Sequence, residues 1–179
     1  MPLKPHDLAV LFKCLGHGPE RWTYAAFAEA LSLSASEVHG ATGRLLASGL
    51  LRRLPEAIAP DRPACEEFIL YGAPHCFYPQ RGGPVRGIPT AFSAVRVSGL
   101  QADRSLPPPV WPHAYGRVKG NEFSPLYPGA PQAALKDPGL YRMLALFDAL
   151  RGGQSRERAL AGRLMSEQIR FRPAHRVRA

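Results

Sequence analysis

Cysteine is scarce in this chain of 179 residues: Cys14, Cys65 and Cys76 are odd in number and form no CxxC pair. That spacing supports neither a disulfide framework nor a four-ligand zinc site. Buried free thiols in a reducing compartment are the expectation. Long apolar runs are also missing. No stretch approaches the roughly 20 residues that span a bilayer, and the opening Met-Pro-Leu-Lys-Pro-His lacks the apolar core of a signal peptide. A cytoplasmic protein with no membrane contact is therefore expected. The six histidines form no HExxH, no GxSxG elbow is found, and no glycine-rich segment ends in the Gly-Lys-Ser/Thr of a phosphate loop. His75 adjoins Cys76, but on a strand the two would point to opposite faces and make a poor dyad. Catalysis, a metal and a cofactor all lack a motif, and none is expected.

Acidic residues fall short of basic ones, 14 against 23, for a formal net charge of +9. Such an excess favours contact with nucleic acid or an acidic partner. It is unevenly placed: residues 1–60 hold six Lys or Arg against five Asp or Glu, and residues 61–179 hold seventeen against nine. Proline, by contrast, is abundant, with 19 in the chain and ten of them between residues 79 and 131.

The most informative stretch is residues 23–54. Tyr24, Phe27, Ala28 and Leu31 fall at i, i+3, i+4 and i+7, one apolar helical face capped by Thr23. Ser32-Leu33-Ser34 breaks that helix. Ser34 and Glu37 have the spacing of a capping box that starts a second helix, which buries Val38, Ala41, Leu45 and Leu46. Gly49 can take the left-handed conformation that ends it. An earlier helix opens at Pro5 and Asp7, with Leu8, Leu11, Phe12 and Leu15 on its stripe. Over residues 7–54 this cadence resembles the winged helix-turn-helix of bacterial regulators, including the MarR and GntR families. The resemblance implies a three-helix core, residues 34–48 as recognition helix, and a basic strand at Arg52-Arg53 leading into a wing. It also implies a short strand over residues 21–23 that pairs with the wing.

Beyond Leu54 a helix is expected over residues 64–71, with Asp61 as cap, Pro63 in its first turn and Gly72 after its end. Residues 75–78 read as a strand pairing with residues 50–54, so that the wing becomes a strand-helix-strand excursion. Residues 79–136 read as a Pro-rich extended arm, anchored over the domain or a second subunit by Phe92, Val95, Val97, Leu106, Val110, Trp111, Phe123, Leu126 and Tyr127. Asp137-Pro138 caps a helix with Leu140, Leu144, Phe147 and Leu150 on one stripe. Ser155 is expected to cap a last helix that buries Leu160, Leu164 and Ile169, and residues 170–179 form a basic tail. The fold class expected is mainly α: a winged helix-turn-helix over residues 1–78, the arm, a C-terminal helical hairpin over residues 137–169, and the tail.

The outward positions of the second helix are Ser36, His39, Gly40, Gly43 and Ala47. Ser36, His39, Thr42 and Arg44 are the side chains able to reach base edges. Arg52 and Arg53 can meet phosphates, or simply be solvated. Two glycines inside a helix cost about 1 kcal/mol each against alanine, which close approach of DNA or of a partner helix would offset. Arg81 and Arg86, flanking a glycine-rich stretch, can clamp a phosphate or partner, or hold the arm in place. The expected function is sequence-specific binding of double-stranded DNA as a homodimeric transcriptional regulator, a repressor by its resemblance. The alternative is a protein-interaction module, such as an antitoxin that presents the winged helix to a protein partner.

Overall fold

In the computed structural model the described residues are 2–16, 23–55, 57–94 and 107–171. The strand expected over residues 21–23 falls almost wholly outside them, as do Val95, Val97, Leu106 and the tail beyond residue 171. Helix α1 (Pro5–Gly16) begins where the Asp7 carboxylate accepts the Lys4 amide at 2.8 Å. Leu8, Leu11, Phe12 and Leu15 are buried as expected, and so are Ala9, Val10 and Cys14. The helix is covered on more than one side because α1 packs against both the next two helices and the C-terminal pair. Helix α2 (Tyr24–Leu31) is capped by Thr23, whose side chain accepts from the Ala26 amide at 3.2 Å. Ser32 takes a left-handed conformation (φ 53) and turns the chain into α3 (Ala35–Ala47). Gly49 (φ 76) then releases it into β1 (Leu51–Arg53).

Strand β1 pairs antiparallel with β2 (Ile58–Pro60), in the register Leu51 with Pro60 and Arg53 with Ile58. The hairpin is therefore local. The expected pairing of residues 50–54 with residues 75–78 does not occur, because residues 73–76 are helical. Asp61 caps α4 (Arg62–Glu67), accepting from the Ala64 amide, and the helix does not stop at Gly72. It widens into a π-helical turn (Phe68–Gly72) and continues as α5 (Ala73–Cys76). Pro74 explains the widening: it has no amide hydrogen and its ring would clash with the carbonyl four residues back, so a π turn admits it without ending the helix. Cys14 and Cys65 are buried free thiols, whereas Cys76 is exposed. Burial pushes both buried thiols up to about 12, so neither is reactive near neutrality.

The expected arm is instead a three-stranded sheet. The long strand β3 (Arg81–Pro89) pairs antiparallel with both β4 (Pro109–Pro112) and β5 (Val118–Phe123), and β4 and β5 close the ring by pairing parallel. Glycines permit this closure. A Cβ on Gly87 would lie 2.0 Å from the Trp111 carbonyl oxygen, and one on Gly120 would lie 2.0 Å from that of Pro108. Helix α6 (Ala130–Lys136) comes next, then α7 (Pro138–Gly152) and α8 (Ser155–Arg170). Asp137 caps α7 as expected, accepting from the Leu140 amide at 3.0 Å. For α8 the cap is Gln154, one residue earlier than Ser155, and its amide donates to the Glu157 carboxylate at 2.8 Å. Its buried stripe is accordingly Ala161, Met165 and Ile169, with Leu160 and Leu164 only half-buried.

Helix α7 is buried along nearly its whole surface from Leu140 to Leu150 and forms the centre of the molecule. Phe147 meets Phe12 of α1 edge-on, with ring centroids 5.8 Å apart. Asp148, 1% exposed, accepts from the Thr90 hydroxyl and the Trp111 indole at 2.6 Å each, and from Arg151 at 2.8 Å. Arg151 also donates to the carbonyls of Phe77 and Ser124. One buried carboxylate and one guanidinium thus fix the sheet and the end of α5 onto α7, each satisfied by hydrogen bonds. Helices dominate the described residues, and among them none is long and apolar enough to cross a membrane.

Candidate nucleic-acid interface

Helix α3 owes its position to supports on one side. It packs against α1, α2 and β1 through Val38, Ala41 and Leu45, while Leu46, expected in the core, is only half-buried at the edge. Behind α2, the Tyr127 hydroxyl donates to the Leu31 carbonyl at 2.7 Å, and Gly129 sits against the Ser32 backbone. The C-terminal elements thereby brace the α2–α3 turn from the rear. The capping box is formed: the Glu37 amide donates to the Ser34 hydroxyl oxygen at 3.2 Å, and the Ser34 amide donates to Glu37 at 2.8 Å. The Ser34 amide first, then its hydroxyl, hold the Glu37 carboxyl below its ordinary value. Glu37 is thus an anion serving its own helix N-terminus.

The outer face of α3 presents Ser36, His39, Gly43 and Ala47, all exposed, with Gly40 half-buried. His39 meets Tyr24 of α2 edge-on at 5.2 Å. No long side chain rises from this face. Thr42, expected to face outward, is buried, and its hydroxyl donates to the Val38 carbonyl one turn back at 2.8 Å. Arg44 also departs from expectation. Its Nε and Nη2 donate to the two carboxylate oxygens of Asp7 at 2.7 Å each, in a pair whose side chains are 11% and 1% exposed. The Asp7 bonds raise the guanidinium above its ordinary value against the effect of burial. Sequence periodicity could place Arg44 near the helix edge, but it could not show that the one acidic residue in the first turn of α1 lay opposite.

Beside this pair lies a shallow groove of about 320 Å³, lined by Lys4, His6, Ser36, Glu37, Gly40 and Arg44. No sequence motif points to Lys4 or His6. They reach α3 only because α1 starts next to it. On the hairpin, Arg52 and Arg53 are both exposed. Arg52, itself largely exposed, approaches the half-buried Asp61 at 3.3 Å, while Arg53 makes no ion pair among the described residues. Neighbours on a strand point to opposite faces, so the two cannot serve one surface equally.

Arg81 and Arg86, expected on one loop, lie five residues apart on β3 and have different roles. Arg81 donates to the Gly152 carbonyl at the end of α7 and stacks over Phe123 at 5.4 Å, which fastens the sheet to the helix. Arg86 is exposed. Among the described residues, no group of three or more His, Cys, Asp or Glu is placed to hold a metal ion. No protein-family model, curated protein or solved structure matches the chain.

Proposed function

We propose that this chain is a cytoplasmic transcriptional regulator, a repressor that binds double-stranded DNA as a homodimer. In this reading α1 to α3 and the β1–β2 hairpin constitute a winged helix-turn-helix, with α3 as the recognition helix. The observation that carries it is the exposed outer face of α3, braced from behind and carrying nothing longer than His39. With Thr42 and Arg44 engaged internally, base-edge contact falls to Ser36 and His39. Gly40 and Gly43 let the helix backbone come close to the groove. In this reading the exposed Lys4, Arg52 and Arg53 would supply phosphate contacts, the two arginines from opposite faces of β1, and such contacts set register rather than sequence. A dimer would place two copies of α3 about 34 Å apart on a near-palindromic site.

Selection of bound duplexes from a random library with the full chain tests this directly. The expected result is a site of two related half-sites. Against it, His39→Ala weakens binding by about 1–3 kcal/mol and relaxes preference at one position per half-site. Replacing Arg52 and Arg53 with serine weakens binding evenly across sequences and flattens its salt dependence. Recovery of no preferred sequence, with His39→Ala indistinguishable from the parent on every duplex, would remove the reading.

A second reading has support from the same face: its small residues also suit a partner protein's helix, as in an antitoxin. Gly43→Leu separates the two when used in duplex-free solution. Loss of a protein partner there, from a parent that shows no preference among duplexes, favours the interaction module.

A further inference from the structure

We propose that the outer face of the three-stranded sheet is a second nucleic-acid site, and that it takes a single strand. The proposal does not rest on α3, and it uses different residues. Arg86 of β3 and Lys119 of β5 are direct partners across the antiparallel ladder, and both are exposed. Residues so paired share one face with Cβ atoms about 5 Å apart, and like charges there oppose folding. Pro84 and Asn121, the next pair on that face, are exposed and uncharged. Arg117, also exposed, lies two residues before Lys119. None of the three cations makes an ion pair among the described residues. The sole carboxylate on the three strands, Glu122, lies beside Gly82 near the far end of β3.

The turn between β4 and β5 adds rings to this charge. The His113 amide donates to the Arg86 carbonyl at 3.4 Å, and the Gly116 amide closes the turn onto the His113 carbonyl at 2.9 Å. Gly116 can close it because it rests directly on Gly87, where a Cβ would come within 2.3 Å of the Gly87 Cα. This packing pins the turn beside Arg86. Tyr115 stands on it 83% exposed, with its ring 5.8 Å from that of His113. A solvated tyrosine on a turn that adjoins Arg86 and runs into Arg117 and Lys119, cations with no ion pair among the described residues, matches what an unstacked base and its phosphates require: a π surface for the base and guanidinium or ammonium groups for the backbone. A duplex hides its base faces and would leave Tyr115 unused. An acidic polypeptide would satisfy the cations but not the ring.

The test is fluorescence anisotropy of a labelled oligo(dT) of about 15 nucleotides with the full chain over a range of salt. The double variant Arg86→Ser/Lys119→Ser is expected to bind at least roughly tenfold more weakly, with a salt slope shallower by about 1.4, since two contacts of about 0.7 each are lost. Tyr115→Ala is expected to weaken binding by about tenfold with the slope unchanged. Two controls should match the parent: Arg158→Ser/Arg163→Ser, which removes equal charge from exposed positions of α8, and His39→Ala, which leaves the sheet intact. Parent-like binding by the sheet double variant overturns the proposal, as does an equal loss in the α8 control. Competition by duplex as strong as by oligo(dT), with Tyr115→Ala unaffected, overturns the single-strand assignment. Because His39→Ala separates the two surfaces, failure on the sheet and failure on α3 are read independently.

Discussion

In an Arg44→Ala variant the Asp7 carboxylate, 1% exposed, would keep the Lys4 amide at 2.8 Å and the His6 ring nitrogen at 3.5 Å, but lose both guanidinium bonds. Removing one partner of a buried ion pair costs about 3–5 kcal/mol, because the remaining charge stays desolvated. The adjoining groove admits water to one side of this pair, which places the expected cost near the lower limit, about 3 kcal/mol. Against a domain stability of about 5–15 kcal/mol that is a large fraction. Urea unfolding followed by circular dichroism measures it. The double variant Asp7→Leu/Arg44→Met is expected to be more stable than either single variant, since it removes both charges together. If Arg44→Ala unfolds within about 0.5 kcal/mol of the parent yet loses duplex affinity, the ion pair is a minor feature and Arg44 belongs to the groove after all.

Gly43→Ala is expected to stabilise the chain by about 1 kcal/mol, since a Cβ there meets nothing within 4 Å and glycine is the poorer helix former; thermal unfolding should rise by about 2–4 °C. Glu37→Gln should cost about 0.5 kcal/mol at neutral pH through the weakened capping box. Because the folded Glu37 carboxyl sits below its ordinary value, that contribution is complete above about pH 4.3 and is lost as pH falls through the folded value; urea midpoints of parent and variant should therefore converge as the pH is lowered further into the acid range. Gly120→Ala should destabilise by about 1–3 kcal/mol or more, because the new methyl would meet the Pro108 carbonyl, whereas the same change at Gly83, where nothing lies within 4 Å, should be nearly silent in the same unfolding assay.

The parts of the fold that were legible from sequence are those whose signals are local. Capping residues announced themselves at Thr23, Ser34, Asp61 and Asp137, and each caps the helix expected of it. The stripes of α1, α2 and α3 came from 3.6-residue spacing, except that Tyr24, expected on the apolar face of α2, is exposed and Leu46 of α3 is only half-buried. The sheet was illegible because its strands break the usual code: β3 reads Arg-Gly-Gly-Pro-Val-Arg-Gly-Ile-Pro, with neither alternation nor a run of branched residues. Its glycines serve closure between distant segments, which spacing cannot reveal. The same limit applied to the site. Thr42 and Arg44 looked like readers by residue type, and only a hydroxyl turned to Val38 and a carboxylate 37 positions away withdrew them.

That withdrawal leaves a sharper physical question about α3. A helix that wanted only stability would carry alanine at residue 43, and one that read bases through long side chains would carry Arg, Lys, Asn or Gln where Ser36, Gly43 and Ala47 stand. This helix does neither. Its inner face is completed by Val38, Ala41, Thr42 and Leu45, its N-terminus is satisfied internally by Glu37, and its strongest cation is held by Asp7. The bracing behind α2 then holds a smooth, weakly charged ridge at a fixed position. Such a ridge favours shape over side-chain readout, whether the partner is a groove or another helix. The diagnostic is therefore steric: enlarging Gly43 to leucine should leave folding intact while abolishing binding, and polar changes at Ser36 should have the smaller effect.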